Sequence, residues 1–392
     1  MTTAIFVNGP IGCGKSYDVM NLGGMPEYDE TFSDTIEDFY AGKVSALEFN
    51  CKLIDHTLSL QAGAFRRWAG ASGTYICETS IIQHLTFSRI RGLSRITAHE
   101  AAIIERAFSR GLRGFIIIYK DMPWEYCRQN IVKRGRPYEL KSMQEIEDIH
   151  SKFKSTFLEV CEDHKIPCLI IQSPLTAELL KKIRNPTIDT ETMGLIDRSV
   201  FDLGLAWESG SAGFIIADTE EQKNLEFAYF PPCNAQLRQP RISLRYAQKL
   251  LLACESIWAY NSDFDVGSLN LKGHVKHYDL WLMTVNYILL QPHLHEKAKE
   301  ILERTEKGNM RTTFDALAAF ICEQAGLSMP PHPHKAKEDA VSEHFLKEYM
   351  IDTWPGGWPG PEHFMKYGLP WYLFNNFDRY LSSTAQVPDK SC

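Results

Sequence analysis

The stretch TAIFVNGPIGCGKS, residues 3–16, determines the fold expected for the first part of the chain. It opens with an apolar run typical of a buried strand, and GPIGCGKS then fits the phosphate-binding pattern G-x-x-x-x-G-K-[ST]. Gly9, Gly12 and Gly14 allow the backbone to bend so that its N–H groups point at phosphate oxygens. A strand, this loop and a helix in succession predict a nucleotide-binding α/β unit.

The loop also predicts the phosphoryl donor and the metal. Lys15 would reach the β- and γ-phosphates and take part in catalysis, and Ser16 would supply a hydroxyl ligand to Mg²⁺ or Mn²⁺. The positive end of the helix that follows adds to phosphate binding. We therefore expect ATP or another nucleoside triphosphate to donate a phosphoryl group.

Beyond the loop, apolar strands alternate with helical stretches. TYICET, GFIIIYKD and IPCLIIQS are short apolar segments bounded by turn signals, and longer amphipathic segments separate them. Continuous apolar runs are typical of parallel sheets that are covered on both faces. The order predicts an α/β fold with a parallel sheet and helices on both faces.

A cluster of cations follows the third strand, around KRGRPYE at residues 133–139. Such a cluster can close over a transferring phosphoryl group and neutralise its charge, although a solvated helix end explains it as well. The cations that we predict to bind phosphate are Arg128, Arg134 and Arg136, with Lys133 beside them.

Together these motifs resemble the deoxyribonucleoside kinases, especially the deoxyadenosine/deoxyguanosine kinase branch. The resemblance covers about residues 3–183 and is carried by GPIGCGKS, the acids Asp29 and Glu30, YICETS and RGRPYE. It implies a nucleoside acceptor whose 5′-hydroxyl loses its proton to a carboxylate. Glu30 is the best match for that base and Asp29 is the second choice, because a base must lie within hydrogen-bond reach of the hydroxyl.

One position departs from the pattern of that family. The acidic residue that ends the second strand is followed there by arginine, whereas this chain has Glu78 and then Thr79. Either Arg66, Arg67 or Arg89 supplies the missing cation, or the acceptor is not an ordinary deoxynucleoside. A 5′-mononucleotide and a hydroxymethyl group on a modified base in DNA are the alternatives.

A second acidic motif, IDTETMGL, begins at Ile188. Asp189 and Glu191 point to the same face of a strand, where two carboxylates repel each other unless a cation lies between them. A solvated edge strand is the ordinary explanation for such a pair. Here three further residues follow in order, Asp265, His334 and Asp339, and the four carboxylates would hold two metal ions while His334 acts as general base.

These five residues resemble the active site of the DEDD-type 3′–5′ exonucleases with a histidine in the third motif, the family of polymerase proofreading subunits. The resemblance covers about residues 186–350, with DTETMGL, NSDFD and H-x-x-x-x-D as its three motifs. It implies a ribonuclease-H-like mixed sheet and a two-metal reaction that releases 5′-mononucleotides from 3′ ends.

Composition limits the classes of partner and the cell compartment that we expect for this protein. Residues 1–185 carry 23 Lys and Arg against 22 Asp and Glu, and residues 186–392 carry 19 against 27, so neither part is a strongly basic nucleic-acid binder. Ten scattered cysteines without a C-x-x-C pair indicate a reducing compartment. With no signal peptide or membrane-spanning run, we expect a cytoplasmic enzyme, in the host cytoplasm if it is viral.

The predicted organisation has three parts: a kinase-like domain at 1–184, an exonuclease domain at 185–352 and an aromatic, proline-rich tail at 353–392. The predicted function is bifunctional, with deoxynucleoside phosphorylation in the first domain and 3′–5′ exonuclease activity on single-stranded DNA, or RNA, in the second. Alternatively, the first domain phosphorylates a mononucleotide or a base in DNA, or only binds nucleotide. A homodimer without any membrane partner completes the prediction, and a phage-like source is the analogy that such a fusion suggests.

Overall fold

The computed structural model describes residues 2–25, 30–68, 73–93, 99–109, 112–194, 197–219, 221–222, 239–306 and 309–361. The described residues form two compact units. The first comprises those up to Arg184 together with Phe214–Glu255, and the second comprises Asn185–Gly213 together with those from Ser256 onward. No helix in the described part of the chain has the length and apolar character needed to cross a bilayer.

The first unit contains a four-stranded sheet whose order is β2-β1-β3-β4. Its strands are β1 (Thr2–Asn8), β2 (Thr74–Glu78), β3 (Leu112–Lys120) and β4 (Leu169–Ile171). Every neighbouring pair is parallel. The sheet confirms the predicted α/β class, and it brings the carboxyl ends of β1 and β2 to one edge.

Helices cover both faces of this sheet, as predicted. Successive side chains of β1 and β3 point to opposite faces, and Phe6 and Phe115 share one face, where both rings contact Phe108 of a covering helix. The helices are α1 (Lys15–Asn21), α2 (Glu30–Tyr40), α3 (Ala46–Trp68), α4 (Ile81–Ile90), α5 (Glu100–Ser109), α6 (Trp124–Arg134), α7 (Pro137–Lys141), α8 (Met143–Asp163) and α9 (Ala177–Ile183).

A second sheet is mixed and has six strands in the order β10-β9-β5-β6-β7-β8. Its centre is the antiparallel pair β5–β6, and β5 also pairs in parallel with β9. The strands are β5 (Thr187–Thr192), β6 (Val200–Trp207), β7 (Gly210–Ile216), β8 (Arg241–Ile242), β9 (Ile257–Ala259) and β10 (His277–Asp279).

The remaining helices complete the core of the second unit, with one exception that belongs to the first. They are α10 (Leu244–Leu252), α11 (Ser262–Ser268), α12 (Leu280–Leu289), α13 (Pro292–Ile301), α14 (Phe314–Ala325) and α15 (Ala336–Asp352). The exception is α10, since it lies within Phe214–Glu255. The apolar cluster of the second unit joins α12, α14 and α15 and includes Met283, Leu317 and Leu346.

The domain bounds 1–184 and 185–352 stay predictions, while the described contacts group Phe214–Glu255 with the first unit. This grouping follows from the packing of α10 on β3, where the Lys249 ammonium donates to the Leu112 carbonyl at 3.0 Å. Gly114 of β3 has no Cβ, and a Cβ there would collide with the α10 backbone at Lys249 and Ala253. Contacts of this kind join residues more than 100 positions apart, so a local sequence pattern cannot predict them.

Candidate functional site

The glycine loop lies between β1 and α1, as the sequence predicted. Gly12 and Gly14 adopt φ values of 83° and 85°, left-handed conformations that favour glycine. The Lys15 ammonium is buried against the loop and donates to the carbonyl oxygens of Gly9 at 2.9 Å and Pro10 at 3.2 Å. The loop and its lysine therefore form one hydrogen-bonded unit at the end of β1.

A carboxylate lies beside the loop serine. The Ser16 hydroxyl donates to Glu78 Oε1 at 2.7 Å, and Glu78 is buried at the end of β2. Val7 and Glu78 are register partners in the parallel β1–β2 pair, which explains why the end of β2 reaches the loop. A hydroxyl next to a carboxylate fits the oxygen ligands that Mg²⁺ prefers.

A cavity of 740 Å³ adjoins the loop within the first unit. Its walls combine apolar and aromatic side chains with several polar and charged groups, the usual make-up of a small-molecule site. This volume is large enough for a nucleoside. The predicted site residues that line it are Gly12, Gly14, Lys15, Ser16, Glu78, Arg134 and Arg136.

Arg91, which the sequence did not single out, contributes a cation to this cavity. Its guanidinium lies 4.7 Å from the ring centre of Phe39 and 5.4 Å from that of Phe87. Arg89, which we predicted as a substitute for the missing arginine, does not line the cavity. Its guanidinium binds Glu100 at 2.7 Å and Asp163 at 2.6 Å. Side chains two positions apart on a helix point in different directions, so only one of the two arginines reaches the cavity.

The cations after the third strand separate into two groups. Arg134 binds Glu139 through two hydrogen bonds of 2.5 and 3.0 Å, and Arg136 lies 3.7 Å from the same carboxylate. Both arginines line the cavity, together with Lys133. Arg128 is exposed and does not line it, because it projects from a different face of α6 than Tyr126 and Asn130, which do line the cavity.

Thr79, at the position where the resembled family has arginine, has a backbone φ of 71°, which is unusual for a β-branched residue. Its N–H donates to the Val7 carbonyl at 2.8 Å, and its hydroxyl accepts from Gln83 at 3.2 Å. The Gln83 side chain also accepts from the Gly9 N–H at 3.1 Å. These bonds connect the glycine loop to the start of α4, one wall of the cavity.

Several predicted acceptor-side groups lie outside what the structure describes. Asp29 is not among the described residues. Glu30 is the first residue of α2, but its side chain, like those of Arg66 and Arg67 in α3, is not described. The assignment of the general base of the first site therefore stays a prediction.

The second candidate site lies at the end of β5. Ligand oxygens of Asp189, Glu191 and Asp339 lie within 4.8 Å of one another, a spacing that one metal ion can bridge. Asp189 and Glu191 share a face of β5, and Asp339 comes from the first turn of α15. Among the described residues, Asp339 Oδ1 is buried and accepts no hydrogen bond. An all-oxygen set with an unsatisfied ligand atom fits Mg²⁺ or Mn²⁺.

Asp265 approaches this cluster without joining it. It lies in the first turn of α11, and its Oδ1 accepts a hydrogen bond of 2.6 Å from the Thr190 hydroxyl. After burial, Asp265 is also the main negative neighbour that raises the pKa of Asp189, so these two carboxylates lie near each other. One oxygen of this predicted fourth metal ligand is already engaged by Thr190.

Two buried acids that the sequence analysis missed belong to the same region. Asp202, the register partner of Glu191 on β6, accepts from the Ala336 N–H at 3.2 Å and so caps the start of α15. Glu343 is only 2% exposed, and its Oε2 has no hydrogen-bond partner among the described residues. An acid within the apolar strand VFDLGLAW was the available signal for Asp202, whereas Glu343 lies in an ordinary helical charge pattern.

Burial raises the pKa of each carboxyl in this cluster. The pKa values of Asp202, Asp265 and Asp339 rise to about 7, and those of Asp189 and Glu343 rise well above the usual range. Negative neighbours add to the effect of burial, Asp265 being the main one for Asp189. A site with this many buried acids favours a cation, because a cation restores the charged forms.

Two imidazoles stand at the same end of α15. His334, the predicted general base, is exposed and has a backbone φ of 55°. His332, two residues before it, packs at a tilt against Phe314 and has its ring centre 5.5 Å from that of His334. His332, His334 and Asp339 have ligand atoms within 4.8 Å of one another.

Comparisons with known proteins find only a weak structural similarity to solved kinase structures. No family model matches this chain, and no curated protein matches it. A solved structure of deoxyadenosine kinase from M. mycoides with dCMP and a flexible dCDP bound is 18% identical, with a TM-score of 0.33, over 45% of this chain and 93% of that chain. The same enzyme with dATP bound is 16% identical, with a TM-score of 0.33 and the same coverage. Because this similarity is weak, function is inferred from the two sites themselves.

Proposed function

We propose that the protein is a bifunctional enzyme of nucleotide metabolism. The first unit transfers the γ-phosphoryl group of ATP, or another nucleoside triphosphate, to the 5′-hydroxyl of a deoxynucleoside. The second unit removes nucleotides from the 3′ end of single-stranded DNA and releases 5′-mononucleotides. Each activity belongs to a separate set of residues.

The cavity beside the glycine loop supports the phosphotransferase activity. It brings a nucleoside-sized space next to Lys15 and to the Ser16–Glu78 pair. A phosphoryl donor on the loop and an acceptor in the cavity would face each other across these residues. Positioning of this kind contributes much of the catalysis in phosphoryl transfer.

Each residue of the first site has its own role in phosphoryl transfer. Lys15 binds the β- and γ-phosphates, and the Arg134 and Arg136 guanidiniums, oriented by Glu139, neutralise charge on the transferring group. Ser16 and Glu78 would hold Mg²⁺, which shields the phosphate oxygens when it is bound. The proton of the acceptor hydroxyl passes to a carboxylate, for which Glu30 remains our assignment.

Three converging carboxylates support the exonuclease activity. Asp189, Glu191 and Asp339 form the group whose oxygens lie within 4.8 Å, and His334 stands beside it. These three acids, with Asp265, would hold divalent metal ions, which stabilise the attacking and leaving oxygens when they are bound. His334 takes the proton of the attacking water, a role that an exposed imidazole can fill.

The phosphotransferase proposal is tested by incubating the protein with γ-labelled ATP and a panel of deoxynucleosides, mononucleotides and DNA. We expect label in a deoxynucleoside monophosphate. Label only in a diphosphate would favour the mononucleotide alternative, which the additional cations Arg91 and Lys133 in the cavity also suit. Label only in DNA would exclude a nucleoside kinase. The absence of any labelled product would indicate that the first unit only binds nucleotide.

The exonuclease proposal is tested with single-stranded DNA labelled at its 5′ end. We expect a ladder that shortens from the 3′ end, with 5′-mononucleotides as products and a requirement for Mg²⁺ or Mn²⁺. An RNA of the same sequence measures the preference for sugar. The Asp189→Asn protein is the control for contaminating nucleases, and equal degradation by both proteins would contradict the proposal.

A further inference from the structure

His332 lies between two carboxylates and an aromatic ring. Its Nδ1 lies 2.9 Å from Asp315 Oδ1, and its ring packs at a tilt against that of Phe314 with 4.6 Å between ring centres. The opposite ring nitrogen, Nε2, lies 3.6 Å from Asp339 Oδ2. The His332 side chain is only 12% exposed, and its Nδ1 forms no hydrogen bond among the described residues.

A carboxylate beside one ring nitrogen is a common surrounding of metal-binding histidines. A ligating imidazole almost always donates its second N–H to a carboxylate or carbonyl, which orients the ring and increases its basicity. Asp315 Oδ1 lies close enough to His332 Nδ1 to become that partner when a metal binds at Nε2. Among the described residues, neither His332 Nδ1 nor the buried Asp339 Oδ1 has a hydrogen-bond partner, so both atoms are unsatisfied.

Distances agree with a small tetrahedral ion. Two ligands at about 2.1 Å from zinc in tetrahedral geometry lie roughly 3.4 Å apart. The 3.6 Å between His332 Nε2 and Asp339 Oδ2 is close to that separation. The third ligand, His334, has a ring nitrogen within 4.8 Å of the ligand atoms of both.

We propose that His332, His334 and Asp339 form a binding site for a borderline-soft divalent metal such as Zn²⁺, separate from the all-oxygen group at Asp189 and Glu191. Two imidazoles and one carboxylate favour zinc and related transition metals, whereas Mg²⁺ prefers oxygen ligands alone. Three protein ligands leave the fourth tetrahedral position open. Asp339 belongs to both groups and connects the two metal positions.

The site has a consequence for the nuclease, and this consequence rests on the exonuclease proposed above. A metal bound by His334 occupies the nitrogen lone pair that would accept a proton from water. Zn²⁺ is therefore an inhibitor of the Mg²⁺-dependent nuclease. Loss of His332 weakens this inhibition while His334 keeps its role in catalysis.

The binding site is tested on the full-length protein with Co²⁺ as a spectroscopic probe and Zn²⁺ as its competitor. We expect Co²⁺ to develop the visible absorption of a tetrahedral nitrogen–oxygen site, and Zn²⁺ to displace it. His332→Ala lowers the Zn²⁺ affinity at least about 10-fold, and Asp315→Asn lowers it about 10- to 100-fold by removing the carboxylate that would accept from Nδ1 of the metal-bound ring. His293→Ala, which removes an exposed imidazole of α13, is the matched control and keeps the wild-type affinity.

Asp189→Asn separates this proposal from the exonuclease. It removes a ligand of the all-oxygen group, so nuclease activity falls while the Co²⁺ absorption remains. Circular dichroism of each variant verifies that it is folded. Zn²⁺ affinity in folded His332→Ala equal to that of wild type would overturn the proposed site. Loss of the Co²⁺ absorption in folded Asp189→Asn would also overturn it, because the metal would then use the acidic group.

Discussion

At the scale of single residues, both sites are defined by polar contacts between positions far apart in the chain. Ser16 and Glu78 meet through a 2.7 Å hydrogen bond, and Thr190 fixes Asp265 through one of 2.6 Å. In each pair a hydroxyl donates to a carboxylate and thereby sets its direction. Removal of the carboxylate charge, with little change in size, therefore tests function with little disturbance of packing.

Glu78→Gln tests the role of the buried acid beside the loop. We expect phosphotransferase activity to fall about 10- to 100-fold, because the neutral amide binds a divalent cation poorly, with partial recovery at high Mg²⁺. Steady-state rates at several Mg²⁺ concentrations measure the effect. Glu125→Gln, an exposed acid on α6, is the control and keeps full activity. Full activity in Glu78→Gln would exclude this carboxylate from the metal site.

The pH dependence of stability follows from the raised pKa values of the second site. The pKa of Asp202 is about 7 in the folded protein, whereas its ordinary value is 3.8. The folded state therefore binds more protons between these values, and metal-free stability is lost as pH rises from about 4 to 7, by up to about 1.4 kcal/mol per pH unit for each such proton. Asp265 and Asp339 act in the same direction.

Urea unfolding at pH 5 and pH 8 in the presence of a chelator measures this loss, and Mg²⁺ at pH 8 should reverse part of it. Asp202→Asn removes one titrating group while its amide oxygen can still accept from the Ala336 N–H, so we expect a smaller loss between the two pH values. An unfolding free energy of wild type that rises toward pH 8 without metal would contradict the assignment.

At the scale of secondary-structure elements, the second site depends on how closely α15 approaches β6. Gly204 faces Asp189 across the β5–β6 pair, and a Cβ at Gly204 would collide with the backbone of Ala336 and Lys337. The start of α15 thus rests directly on the strand. This contact places Asp339, in the first turn of the helix, beside Asp189 and Glu191.

Gly204→Ala tests that contact. The added methyl group must push α15 away from β6, at a cost of about 1–3 kcal/mol in stability. Displacement of Asp339 by even 1 Å would lower nuclease activity about 10²-fold. Gly267→Ala in α11, where a Cβ meets nothing within 4 Å, is the control, with unchanged activity expected. Thermal unfolding and the DNA ladder assay report the two effects separately.

At the scale of the whole molecule, the two sites use no common residue. The loop, Glu78 and the cavity belong to the first unit, and the acids and histidines belong to the second. Lys15→Ala should therefore abolish phosphotransferase activity and retain the nuclease, whereas Asp189→Asn should do the reverse. Both assays on each purified variant measure this, and a parallel loss of both activities would contradict two separate sites.

The composition of the first unit leads to another prediction. A fragment of residues 1–184 lacks α10, which packs on β3 through Tyr246 and Lys249. We expect this fragment to unfold at a lower temperature than the first unit does in the full chain, because the Phe115 face of the sheet loses its cover. Limited proteolysis and thermal unfolding measure the difference, and a fragment as stable as the full chain would show that α10 is dispensable.

The sequence by itself determined the α/β class, the parallel first sheet and the position of the glycine loop, because these follow from local apolar runs and from glycines with special backbone angles. It also indicated four acids of the second site, Asp189, Glu191, Asp265 and Asp339, because the side-by-side carboxylates of Asp189 and Glu191 repel each other without a cation. Which residues meet was decided only by the tertiary structure. Arg91 rather than Arg89 reaches the cavity, Asp202 caps α15, and His332 Nδ1 lies beside Asp315. Such pairings depend on helix rotation and strand register, which long-range packing sets.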